Sequence, residues 1–143
     1  MGGFRGLTIT NSEAETFALG EAFGKELKPN SVVCFFGDLG AGKTTFIKGV
    51  VAGAADYPPA LVSSPTFVYL NIYKGSKTIY HFDLYRLHDA EEFLSMGFDE
   101  VFFAEGICCI EWSERIMGLL PQDCIRVELA HEKEMSRRIV ING

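Results

Sequence analysis

The apolar residues in the first part of the chain predict a strand, a helix and a second strand. The stretch from Leu7 to Thr10 predicts a short strand. From Ser12 to about Lys28, apolar residues recur every four positions, so they share one face of a predicted helix. Ser31 to Phe36 is a continuous apolar run, as expected for a strand that is buried on both faces. Two pairs at the start of the helix have capping-box spacing: Ser12 with Glu15, and Thr10 with Glu13.

The rest of the chain predicts a helix after a glycine-rich loop, two hairpins and one more buried strand. The helix runs from Lys43 to about Ala55, and a surface loop follows at residues 57–59. The predicted strands are Phe67 to Tyr73 with Lys77 to Phe82, Ile107 to Ile110, and Cys124 to Leu129 with Arg137 to Ile141. The predicted short helical segments are Ala90 to Met96, Phe98 to Phe103 (broken from the first at Gly97) and Ser113 to Leu119. Alternating strands and helices with antiparallel hairpins predict a single α/β domain over residues 1–143, with a mixed sheet flanked by helices.

Composition and charge narrow the class of protein. With 48% hydrophobic and 22% charged residues, the chain is typical of a soluble globular protein. No apolar run reaches the roughly 18 residues that span a bilayer, so we expect a cytoplasmic protein without a membrane partner. The four cysteines form no C-x-x-C pair, which favours buried reduced thiols over zinc ligands. Thirteen basic against nineteen acidic residues, a net charge of −6, argue against extensive direct binding to RNA or DNA.

One loop carries the pattern of a phosphate-binding site. It matches G-x-x-x-x-G-K-[ST] at every fixed position, after a predicted buried strand and before a predicted helix. Glycines let backbone N–H groups point at phosphate oxygens, and the helix N-terminus faces the same anion. Lys43 would place a positive charge on the terminal phosphates, and the Thr44 hydroxyl could ligate Mg²⁺. The predicted ATP-binding residues of the loop are Gly37, Asp38, Leu39, Gly40, Ala41, Gly42, Lys43, Thr44 and Thr45.

A phosphate-binding loop needs an acidic partner that holds Mg²⁺ and orders the attacking water. Such an acid usually ends a hydrophobic strand beside the loop. Glu111 ends the apolar run that begins at Ile107, and Asp83 ends the run that begins at Thr78. Spacing alone does not separate these two candidates.

Four sequence blocks together resemble the TsaE (YjeE) family of bacterial P-loop ATPases, over roughly residues 7 to 130. Their order and spacing agree with that family, and the third block is far more diagnostic than the phosphate loop. The blocks are the loop itself, Ser64-Pro65-Thr66-Phe67, His81-Phe82-Asp83-Leu84-Tyr85-Arg86 and Glu111-Trp112-Ser113-Glu114. The resemblance implies a P-loop NTPase fold and an ATPase required for making threonylcarbamoyladenosine in tRNA.

The resemblance also implies roles for individual residues. Trp112 would lie beside the nucleotide, and Glu13 near the base. Thr66 would act as a switch residue near the γ-phosphate. The implied catalytic residues are Lys43, Thr66, Asp83 and Glu111, and the implied Mg²⁺ ligands are Thr44 and Glu111.

The implied partners are the proteins TsaD and TsaB, with tRNA contacted only indirectly through their complex. Hydrolysis would reset that complex, and it should be slow in the isolated chain because no arginine finger is assignable. Two alternatives remain open. A small-molecule kinase shares the loop but usually has an arginine-rich lid, whereas Arg86, Arg115 and Arg126 are scattered. The other alternative is a switch whose output is nucleotide-dependent docking rather than turnover.

Overall fold

A computed structural model describes residues 6–38, 40–65 and 68–143, and these form one mixed β-sheet flanked by helices. The seven strands lie in the order β1-β7-β6-β2-β5-β4-β3. Neighbours among β6, β2, β5 and β4 pair in parallel, and the outer pairs are antiparallel. The strands are β1 (Gly6–Thr10), β2 (Val32–Phe36), β3 (Leu70–Lys74), β4 (Thr78–Asp83), β5 (Ile107–Glu111), β6 (Ile125–His131) and β7 (Arg137–Asn142).

Three α-helices and three 3₁₀ segments connect the described strands. The α-helices are α1 (Glu13–Lys25), α2 (Lys43–Ala55) and α3 (Ala90–Ser95). The 3₁₀ segments are Pro59–Leu61, Phe98–Phe103 and Ser113–Leu119. In the described part of the chain, no helix has the length and apolar content to cross a membrane.

The start of α1 follows the predicted capping box, but its end does not match the prediction. The Ser12 hydroxyl accepts a hydrogen bond from Glu15 N at 3.1 Å, and the Glu15 carboxylate accepts one from Asn11 N at 2.8 Å. The Ser12 and Glu15 pair is therefore the one that caps the helix. The predicted end at Lys28 was wrong because the last turn tightens: Leu27 N donates to Gly24 O, three residues back.

One other predicted boundary changes, and one predicted helical segment keeps its bounds but is of the 3₁₀ type. The strand predicted from Phe67 begins at Leu70, because Val68 N and Tyr69 N both donate to Pro65 O and form a turn. Phe67 itself lies outside the described residues. The segment Ser113–Leu119 is a 3₁₀ helix with a kink at Ile116 rather than a regular α-helix.

The apolar run of β2 is buried on both faces of the sheet, as its sequence predicts. Val33 and Phe35 face a core that α1 and α2 cover, where Phe23 and Phe46 are completely buried. Cys34 faces a second core built around Phe82, Phe93 and Ile110. Because β2, β5 and β4 pair in parallel, their carboxyl ends lie at one edge of the sheet, where polar side chains gather.

Candidate nucleotide-binding site

The loop before α2 and the first turn of α2 contribute backbone groups to the site. Gly40 and Gly42 have φ values of 83° and 96°, in the left-handed region that side chains other than glycine rarely adopt. Gly42 is also the N-cap of α2 and has no side chain to bond the first amides of the helix. Those amides have no partner within a helix, so they are free to bind an anion.

A cavity of about 760 Å³ opens beside this helix start, at the carboxyl edge of the sheet. The phosphate loop and the starts of α1 and α2 form one part of its wall. The loop before β3, the carboxyl ends of β4 and β5 with the residues that follow them, and the start of β7 with the segment before it form the rest. The lining residues are Glu13, Thr16, Gly40, Gly42, Lys43, Thr44, Thr45, Ser64, Asp83, Tyr85, Glu111, Trp112, Met135 and Arg137.

The two candidate acids lie side by side in the cavity. Asp83 and Glu111 are direct partners in the parallel register of β4 and β5, and they are 8% and 7% exposed. Glu111 is the acid that approaches the loop lysine: its Oε1 lies 3.9 Å from Lys43 Nζ. The other oxygen, Oε2, lies 2.9 Å from His81 Nε2.

Asp83 has different partners. Its Oδ2 accepts a hydrogen bond from Ser64 Oγ at 3.2 Å, and its Oδ1 accepts one from Tyr85 N at 3.0 Å. Asp83 therefore connects the loop that contains Ser64 and Pro65 to the end of β4, whereas Glu111 faces Lys43. The geometry thus gives the two carboxylates different surroundings that sequence spacing could not distinguish.

Trp112 lies at the wall of the cavity in a left-handed conformation, with φ 60°. Trp112 is 36% exposed, and three side chains lie near its ring. Lys43 Nζ is 5.8 Å from the ring centroid, Arg115 Cζ is 5.7 Å from it, and the Tyr85 ring centroid is 4.9 Å away. The structure therefore places an accessible aromatic face next to the loop lysine.

The other predicted binding residues divide into three groups. Glu13 lines the cavity, and its carboxylate accepts a hydrogen bond from Thr45 Oγ1 at 3.4 Å. Gly37, Asp38 and Ala41 do not contribute to the cavity wall, and Ala41 is only 1% exposed. Their backbone contacts with phosphate stay a prediction. Leu39 and Thr66 lie outside the described residues.

Arg137 is a cavity residue that sequence reasoning missed. Its Nε atom lies 3.6 Å from the position that a Cβ on Gly42 would occupy. Its Nη1 donates to Glu134 O and Ser136 O, both at 3.0 Å, while its Nε is buried without a hydrogen-bond partner among the described residues. The second predicted hairpin was the signal in the sequence that could have placed Arg137 at the site. The start of an antiparallel β7 must lie beside the carboxyl end of β6.

Three comparisons agree on the family. The sequence model of the family described as threonylcarbamoyl adenosine biosynthesis protein TsaE matches residues 10–139. The chain is 36% identical over 133 residues to the tRNA threonylcarbamoyladenosine biosynthesis protein TsaE of Treponema pallidum, covering 93% of this chain and 97% of that protein. It is 37% identical to the TsaE protein of Bacillus subtilis over 135 residues, covering 94% and 83%. The crystal structure of Bacillus subtilis YdiB superposes with a TM-score of 0.74 at 31% identity, covering 93% of this chain and 81% of that one. This chain therefore belongs to the TsaE family, which takes part in the threonylcarbamoyladenosine modification of tRNA, and it has that family's P-loop α/β fold.

Proposed function

We propose that this chain is the ATP-hydrolysing component of the tRNA threonylcarbamoyladenosine machinery, and that it acts on a TsaD–TsaB complex to support its turnover. The observation that carries the proposal is the meeting of three groups in one cavity. The start of α2, the Lys43 ammonium and the Glu111 carboxylate converge there, with 3.9 Å between Lys43 Nζ and Glu111 Oε1.

The residues present fit ATP with Mg²⁺. The cavity volume of about 760 Å³ is within the usual range for ligand sites. Lys43 and the unpaired amides of α2 suit a polyphosphate. Thr44 and Glu111 supply the hard oxygen ligands that Mg²⁺ prefers, and such sites combine one or two carboxylates with substrate phosphates. When bound, Mg²⁺ would offset the negative charge of the phosphates.

The surroundings of the cavity support slow hydrolysis by the isolated chain. Arg137 Nη1 already donates to two backbone carbonyls, and Arg115 Nη2 donates to Tyr85 O at 3.1 Å. Neither guanidinium is therefore fully available to neutralise charge in a phosphoryl-transfer transition state. TsaD and TsaB would raise the rate by supplying a charge or by ordering the loop that Ser64 and Asp83 hold.

Nucleotide binding is tested with a matched pair of lysine variants. Lys43→Ala removes the cation beside Glu111, so we expect ATP–Mg affinity to fall about tenfold or more. Lys48→Ala removes the same charge from the same helix, but Lys48 does not line the cavity. Calorimetry should show near-normal affinity for Lys48→Ala. Equal affinities of Lys43→Ala and the unmodified chain would overturn the assignment.

The purpose of hydrolysis is tested with the three proteins and tRNA together, by measuring phosphate release and modified adenosine in parallel. TsaD and TsaB should raise the hydrolysis rate, and each tenfold gain corresponds to about 1.4 kcal/mol off the barrier. Asp83→Ala and Glu111→Ala should abolish repeated modification while the proteins stay folded. Glu128→Ala is the control, because Glu128 is exposed on β6 and lies outside the cavity.

Two outcomes of that experiment would point to other functions. If Glu111→Gln blocks hydrolysis yet supports repeated modification, the output is docking rather than turnover. If ADP forms only when a small-molecule acceptor is added, the chain is a kinase.

A further inference from the structure

We propose that His81 is a positioning residue for Glu111, holding one carboxylate oxygen so that the other faces Lys43 and the cavity. This inference rests on the proposed function, because Glu111 is there the acid that holds Mg²⁺. It adds to that function a residue which does not line the cavity itself.

The strand geometry places His81 outside the cavity wall and next to Glu111. Side chains alternate along a strand, so His81 and Asp83 project from the same face of β4. His81 is in register with Cys109 on β5, and Glu111 follows two positions later on the same face. His81 and Glu111 are therefore diagonal neighbours, which long side chains can bridge.

The contact between the two side chains is short and buried. His81 Nε2 lies 2.9 Å from Glu111 Oε2, and His81 is 3% exposed. An ionised carboxylate only accepts hydrogen bonds, so beside an ionised Glu111 the proton of this bond is carried by Nε2. The second ring nitrogen, Nδ1, is buried and has no hydrogen-bond partner among the described residues. The bond to Glu111 is thus the polar contact that orients the ring.

This bond restricts the Glu111 carboxylate. With Oε2 held by His81, Oε1 remains 3.9 Å from Lys43 Nζ, longer than a direct charged hydrogen bond. Without the Nε2 donor, the carboxylate could rotate and pair fully with Lys43. Glu111 would then be less available to Mg²⁺, while the loop amides and Lys43 would still hold the phosphates. Such outer partners of a metal ligand typically change affinity or activity by about 10–100-fold.

Three substitutions at His81 distinguish the role of its hydrogen-bond donor from the role of its ring. In His81→Gln the side-chain amide reaches the position of Nε2, whereas in His81→Asn it reaches only the position of Nδ1. His81→Phe keeps a ring without a donor. We expect His81→Gln to keep kcat within about threefold of the unmodified chain, and the other two variants to lose about tenfold or more. The KM for ATP should change little, and the Mg²⁺ concentration for half-maximal rate should rise in the two impaired variants.

A second readout needs neither nucleotide nor metal. The chain has three histidines, and ¹⁵N spectra of their imidazoles report which nitrogen carries the proton. The His81 resonance, assigned by its loss in His81→Gln, should show a protonated Nε2 whose proton signal shifts when Glu111 is changed to Gln. Thermal unfolding of each variant checks that it is folded.

The outcomes distinguish the two proposals. If the unmodified chain neither binds nor hydrolyses ATP, the proposed function fails. If it does both, and His81→Asn and His81→Phe match it in kcat and Mg²⁺ dependence, only the positioning role fails. Equal losses in all three variants would also overturn that role, because the donor would then make no difference.

Discussion

At the residue scale, Trp112 connects the loop to the end of β5. It follows Glu111 directly, and the left-handed backbone at Trp112 turns its ring back towards Lys43 and Tyr85. Tryptophan rings attract cations and stack on flat ligands, and this ring has Lys43 Nζ at 5.8 Å and Arg115 Cζ at 5.7 Å from its centroid. Its surroundings should therefore change when a nucleotide enters the cavity.

We expect the fluorescence of Trp112 to change when ADP–Mg is added. Trp112 is the only tryptophan in the sequence, so the signal has one source. A titration of emission against ADP–Mg measures it, and Lys43→Ala should need more nucleotide for the same change. An emission spectrum that stays constant at saturating nucleotide would show that the ring does not sense the site.

At the scale of elements, α1 and α2 approach so closely that glycine is required where they cross. A Cβ added to Gly24 would lie 2.4 Å from Val50 O, and one added to Gly53 would lie 2.0 Å from Glu21 O. Both obstacles are backbone atoms, which cannot move aside cheaply. Since α2 also carries the phosphate loop at its start, this crossing helps to set the position of the site.

We expect Gly53→Ala to destabilise the protein by about 1–3 kcal/mol, because the added methyl group overpacks the crossing. Helix propensity alone would favour the substitution by about 1 kcal/mol. The sign of the measured change in the free energy of unfolding therefore shows which effect dominates. Gly118→Ala is the matched control, because a Cβ there meets no atom within 4 Å. Urea unfolding of both variants measures the difference, and a stabilised Gly53→Ala would contradict the close approach.

At the scale of the whole molecule, three thiols are enclosed by the central strands. Burial raises the pKa of Cys34 and of Cys108 to about 12, and it raises the pKa of Cys109 further still. Cys34 and Cys108 face one core and Cys109 faces the other. Unfolding would return all three to an ordinary value near 9.

These raised pKa values predict a loss of stability at alkaline pH. Between about pH 9 and 12 the folded chain keeps thiol protons that the unfolded chain releases, so the free energy of unfolding falls as pH rises. Below pH 9 the full contribution of the buried thiols to the free energy of unfolding is present. Urea unfolding between pH 7.5 and 10 should show a smaller decline for Cys109→Ala than for the unmodified chain. Cys124→Ala, at a half-buried position, is the control, and parallel declines in all three proteins would refute the effect.

Local sequence patterns were enough to predict most elements and the backbone of the site. The β2 run, the glycine-rich loop and the helix from Lys43 are consecutive, so hydrophobic period and glycine positions predict them without long-range information. The two boundaries that were wrong, at Lys28 and Phe67, depend on a few backbone hydrogen bonds, which Gly24 O and Pro65 O accept. Such bonds leave no periodic signal in the sequence.

The sequence by itself determined the type of fold, the family and the loop that should bind phosphate, because each depends on local patterns and on their order along the chain. Only the tertiary structure decided which acid faces Lys43, and that His81 holds that acid from a position 30 residues away. It likewise placed Arg137 beside Gly42. These contacts depend on strand order and register, which are set by the packing of the whole sheet and are not encoded in any one segment.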